Sequence, residues 1–110
     1  ARAQTNLGAI YRQEGQVQKS IQAFQSAIQA SPDMVEALNN LGLIYIAEKR
    51  FDEGILLYHQ ALKIEPEQAE VWLNLGMAYR DQGKQEQAVQ ALHRAIQLKP
   101  ELKQRFPVPR

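Results

Sequence analysis

The sequence predicts an all-α solenoid built from three antiparallel helix hairpins. Three observations carry that expectation. A motif recurs at fixed spacing: Asn6-Leu7-Gly8 followed by Tyr11, Asn40-Leu41-Gly42 followed by Tyr45, and Asn74-Leu75-Gly76 followed by Tyr79. Each copy stands 34 residues after the last, and a constant period of that size means one unit stacked on itself. Within each period, apolar residues return about once per helical turn in two separate runs. A proline then closes each period, at Pro32, Pro66 and Pro100.

Residues 1–14 carry Ala3, Leu7, Ile10 and Tyr11 at helical spacing, and Gly15 is a natural C-terminal cap. Residues 17–30 resume with Val17, Ile21, Phe24 and Ile28 on one face. Ser31-Pro32-Asp33 stops them, because proline lacks the amide that a helix needs and restricts the residue before it. The same pair returns over 35–48 and 51–64, with Lys49-Arg50 at the turn and Glu65-Pro66-Glu67 at the end. It returns again over 69–82 and 85–98, with Gly83 at the turn. Repeats are thus expected at 1–34, 35–68 and 69–102, leaving 103–110 as a C-terminal tail and partial cap. Across the end of the third repeat and the start of that tail, over residues 101–106, Leu102 and Phe106, four residues apart, are expected to form a short lid over Val89, Leu92 and Ile96 before Pro107 and Pro109.

Small residues recur in register. Gly8, Gly42 and Gly76 hold one position of the first helix; Ser20, Gly54 and Ala88 hold one of the second, as do Ala27, Ala61 and Ala95. A glycine inside a helix costs about 1 kcal/mol against alanine. Three in one place imply close approach of the paired helix, with large residues filling the flanks and axes about 8–10 Å apart.

Composition narrows the function classes. A net charge of +1 disfavours nucleic acid as a partner. The absence of cysteine rules out disulfides and thiolate metal sites. No apolar run is long enough to span a bilayer, so membrane insertion is not expected. The first residues, Ala1-Arg2-Ala3, already read as helix, which suggests an excised fragment; a cytoplasmic location is expected.

The pattern Trp72, Leu75-Gly76, Tyr79, Ala88, Leu92, Ala95 and Pro100, with its two earlier copies, resembles the tetratricopeptide repeat (TPR). The resemblance covers residues 1–102 and departs in detail at Gln4, Gly54 and Leu92. It implies a right-handed superhelical solenoid whose first helices line a concave groove. On that resemblance the groove presents Thr5, Asn6 and Arg12, then Asn39, Asn40 and Leu43, then Leu73, Asn74, Met77 and Arg80. Such a mixed surface suits a peptide or a partner helix better than a small molecule.

The asparagines are the sharpest feature. A primary amide both donates and accepts, so it pairs with a peptide backbone running either way. First helices about 10 Å apart would meet an extended chain, at about 3.3 Å per residue, once every third residue. Asn6, Asn40 and Asn74 resemble the asparagine ladder of the TPR superhelix in O-linked N-acetylglucosamine transferases. The alternative, asparagines that bond within the solenoid or to water, stays open. Resemblance to the co-chaperones that hold a C-terminal carboxylate fails: only Asn40 matches. Thr5, Ala9, Glu70 and Asn74 stand where lysine, asparagine, lysine and arginine are wanted.

No catalytic set of nucleophile, base and orienting group assembles in the groove. His59 and His93 are one period apart, too few to hold a metal. No cofactor is expected, and the aromatic residues occupy core positions. The expected function is a non-catalytic scaffold that binds a peptide or helix of a partner protein. The alternatives are a substrate-recruiting or regulatory module of a larger enzyme such as a glycosyltransferase, and a self-assembly module forming homo-oligomers through the exposed repeat ends.

Overall fold

The computed structural model describes residues 2–105, with the side chain of Arg105 left aside. Six long helices run in order: α1 (Arg2–Gln13), α2 (Val17–Ala30), α3 (Val35–Ala47), α4 (Phe51–Ile64), α5 (Ala69–Asp81) and α6 (Gln85–Leu98). A short α7 (Leu102–Arg105) follows. No strand occurs among the described residues. The array measures 41 × 25 × 22 Å, the elongated shape of a chain stacked along one axis rather than folded round one centre.

Each hairpin turns in the same way. The backbone N–H of Gln16, Arg50 and Lys84 donates to the carbonyl of Tyr11, Tyr45 and Tyr79 at 2.8 Å each time. This satisfies a carbonyl that the helix end would otherwise leave orphaned. The turn needs a left-handed residue, and Gly15 and Gly83 supply it at φ 78° and 87°. Lys49 stands in the same place at φ 63°, a conformation unfavourable for a residue with a Cβ. The second helices also end alike: the N–H of Ser31, Glu65 and Lys99, each before a proline, bonds the carbonyl of Ala27, Ala61 and Ala95 at 2.9 Å.

The glycines of the first helices sit where an aromatic or branched side chain of the second helix lies flat. A Cβ on Gly8 would come within 2.8 Å of the Phe24 ring, one on Gly42 within 2.5 Å of Tyr58, and one on Gly76 within 2.7 Å of Leu92. The close approach expected from their spacing is therefore present. Phe24 and Tyr58 are fully buried as a result. Ser20 adds a buried polar tie, donating to the Gly8 carbonyl at 2.7 Å.

Two apolar clusters join the hairpins. Ile21, Phe24 and Ala27 of α2 pack with Ala37, Leu41, Ile44 and Tyr45 of α3. Ile55, Tyr58, Ala61 and Leu62 of α4 pack with Val71, Leu75 and Ala78 of α5. A side-chain bond marks each junction at the same register. Gln25 donates to the Tyr45 hydroxyl at 3.2 Å, and His59 pairs with the Tyr79 hydroxyl at 3.1 Å. At the far end Leu102 of α7 is buried and Leu92 with it, while Val89 and Ile96 stay half-buried. Phe106, the other residue of the expected lid, lies outside the described residues.

Candidate functional site

Neighbouring first helices touch: α1 meets α3, and α3 meets α5. The backbones of the second helices approach those of the first helices and stay farther from one another. An array whose one layer closes up while the other spreads must curve toward the closed layer. The first helices accordingly form the inner face, where the sequence places the candidate groove.

Asn40 and Asn74 are half-buried and Asn6 is exposed. The side chains of Asn6 and Asn40 form no hydrogen bond with any described residue. Asn74 differs, because its Nδ2 donates to Oδ1 of Asn39 on the neighbouring helix at 2.9 Å. One N–H and the carbonyl oxygen of Asn74 stay available, now aimed by the bond. Leu43, Leu73 and Met77 are half-buried beside these amides, and Arg12 and Arg80 are exposed at the C-terminal ends of α1 and α5.

Thr5 is placed differently from the other groove candidates. It is only 2% exposed, and its hydroxyl donates to Sδ of Met34 at 2.9 Å. Its register partners are Asn39 and Leu73, and this position lies at the seam between adjacent first helices. Thr5 thus holds α1 against the start of the second hairpin and offers little to a ligand. The reason is the curvature: closing the inner layer buries one edge of the first-helix stripe.

Charges divide across this face. Arg2, Glu36, Glu65 and Glu70 line a polar depression of about 360 Å³ with Asn39 near the start of α3 and α5. Arg12 and Arg80 stand at the opposite lip. Arg50 and Glu53 form a bidentate pair at 2.7 and 2.6 Å, away from this face, with the Arg50 guanidinium 4.3 Å from the Tyr45 ring centre. The pair holds the Glu53 carboxyl below its usual range, but it lies at the surface in contact with solvent and so contributes little to stability. Among the described residues no three histidines or carboxylates converge to hold a metal.

The spreading outer layer opens a second concavity that the sequence did not announce. A shallow cleft of about 510 Å³ between α2 and α4 is lined by Ile28, Leu41, Tyr45, Leu56 and Leu57. A signal for it does exist. Leu56-Leu57 stand where the other hairpins have Gln22-Ala23 and Gln90-Ala91, and Leu56 is 59% exposed.

Comparison with known proteins agrees with this geometry. A tetratricopeptide repeat family model matches residues 33–101, and a second TPR model matches residues 8–47. No curated protein matches the sequence. Among solved structures, the crystal structure of MamA is similar at 27% identity and a TM-score of 0.85, over 96% of this chain and 61% of that one. A mutant of the Thermobaculum terrenum O-GlcNAc transferase is similar at 28% identity and a TM-score of 0.86, over 91% of this chain. The chain spans 61% of the length of MamA and 19% of that of the transferase. No described helix is long and apolar enough to cross a membrane. On the family match, the repeated hairpins and the curvature together, the chain belongs to the tetratricopeptide repeat family, a family of scaffolds for protein–protein interaction.

Proposed function

We propose that the inner face binds an extended or helical segment of a partner protein, without catalysis by this chain. The observation that carries the reading is the state of the asparagines. Asn6 and Asn40 keep amides with no partner among the described residues, at exposed and half-buried positions, and Asn74 is oriented by Asn39 rather than consumed by it. Each amide bond to a peptide backbone would add about 0.5–1.5 kcal/mol. Leu43, Leu73 and Met77 beside them would supply apolar contact, and Arg12 and Arg80 would favour acidic side chains along one lip.

The test is a pull-down and peptide-array comparison of the wild type with the triple variant Asn6→Ala, Asn40→Ala, Asn74→Ala. Loss of most bound peptides, with an unchanged circular dichroism spectrum, is expected. Retention of every partner by the triple variant would end the clamp reading. A second reading, recruitment of substrates to a larger enzyme, is favoured by the similarity to a portion of the O-GlcNAc transferase. Mass spectrometry of the protein purified from its source, which shows whether an enzyme domain shares its polypeptide, decides between the two.

A further inference from the structure

The asparagines repeat unchanged along the inner face, but the positions around them do not. α1 carries Arg2 and Arg12 and no carboxylate. α3 carries Glu36 and no cation. α5 carries Glu70 and Asp81 against a single cation, Arg80. The inner layer therefore passes from positive to negative along the array. Apolar surface is graded in the same direction. The residue one turn after each asparagine is Ala9, then Leu43, then Met77, all half-buried. Half-buried Leu73 adds a second large apolar group beside Asn74, where its counterparts are Thr5 and Asn39.

Both cations of α1 are exposed, and neither joins an ion pair among the described residues. The Arg12 charge reaches the Tyr58 hydroxyl of the second hairpin and favours release of its proton, so the guanidinium leans toward that hairpin. A primary amide pairs with a backbone running either way. The asparagine ladder alone thus gives a bound chain no fixed order, and the graded flanks supply one. We infer that the inner face selects a bipartite segment, acidic where it crosses α1 and apolar where it crosses α3 and α5. The order of its side chains, not the direction of its backbone, fixes how it lies.

This rests on the reading of the inner face as a groove for a partner segment, and it names the class of segment. First helices about 10 Å apart and an extended chain of about 3.3 Å per residue set the spacing. A carboxylate near Asn6 is followed about three residues later by an apolar side chain at Leu43, and about three later again by one at Leu73 and Met77. The opposite placement loses on both counts. Its carboxylates would face Glu70 and Asp81, and its apolar end would find only Ala9 on α1.

The probe is a synthetic nonapeptide of serines that opens with two aspartates and carries leucine at its fifth and eighth places, together with the same sequence reversed. The chain has no cysteine, so a nitroxide fixed through a cysteine added at the aspartate end sits on the peptide alone. Each peptide is titrated into isotope-labelled protein by NMR. The nitroxide should broaden the amides of Asn6 and Ala9 with both peptides, and those of Asn74 and Met77 with neither. Lysines in place of the aspartates should weaken binding severalfold. Arg2→Glu with Arg12→Glu should reverse that preference; both residues are exposed, and circular dichroism is the control for the fold. Equal broadening over α1 and α5, or broadening that changes ends when the sequence is reversed, would overturn the inference. If the triple asparagine variant still lost binding in that case, the groove reading itself would stand. Absence of binding to the wild type, or binding that the triple asparagine variant keeps, would overturn both.

Discussion

Lys49 is the residue at which the backbone and the side chain disagree most. It occupies the left-handed turn position that glycine fills at 15 and 83. A side chain there costs about 1–2 kcal/mol, part of which a glycine gives back through the greater freedom of its unfolded chain. Lys49→Gly should therefore stabilise the fold by about 0.5–1 kcal/mol, read as a higher urea midpoint at unchanged slope. Gly42 shows the opposite balance. Alanine would improve helix propensity by about 1 kcal/mol, but its Cβ would meet the Tyr58 ring at 2.5 Å. That ring is fully buried and cannot withdraw. Gly42→Ala should lose about 1–3 kcal/mol by overpacking, a result that equilibrium unfolding measures directly. The recurrent glycine could be read from sequence as a packing position because the period showed it three times. Lys49 could not be read as strained, since lysine at a turn looks ordinary until its φ is known.

At the scale of elements, the helices were legible almost throughout. Proline, glycine and apolar spacing fix their ends to within about one residue of those observed. What the spacing cannot give is the angle between hairpins, and the misplacement of Thr5 follows from that. A stripe of five or six positions on a helix reads as one face, yet curvature decides which edge closes against a neighbour. The Asn39–Asn74 bond was hidden for the same reason, being a contact between first helices 35 residues apart. The hairpin interior also sets a pH response. Burial pushes the Tyr58 hydroxyl far above its ordinary value of 10.0, against a weaker pull from Arg12, and burial raises Tyr79 as well. The folded chain thus keeps protons that the unfolded chain releases. Stability should be complete below about pH 10 and fall as the pH rises beyond it. Urea midpoints measured from about pH 9 to 11 check this, and Tyr58→Phe should flatten the decline.

Across the whole molecule, stability is distributed unevenly. α1 buries only Thr5 and Gly8, whereas α3 buries Ala37, Leu38, Leu41, Gly42, Ile44 and Tyr45. In a linear array each unit is held mainly by its neighbours. The first hairpin has one neighbour and the second has two. Amides of α1 should therefore exchange fastest with deuterium and those of α3 and α4 slowest. Uniform protection across all six long helices would show instead that the array opens as one unit. The repeat number and the layer order were legible in the sequence. The open cleft over Leu56 and Leu57 was not, because it arises only where two second helices diverge.

Trp72 gives this unevenness an optical meaning. It is the sole tryptophan, half-buried at the start of the third hairpin, with its indole N–H donating to the Pro66 carbonyl at 2.8 Å. Its emission therefore reports the seam between the second and third hairpins and is blind to the first. Fraying of α1 would pass unseen in a fluorescence melt while the far-ultraviolet signal had already begun to fall. Any gap between the two curves measures how loosely the array is coupled along its length.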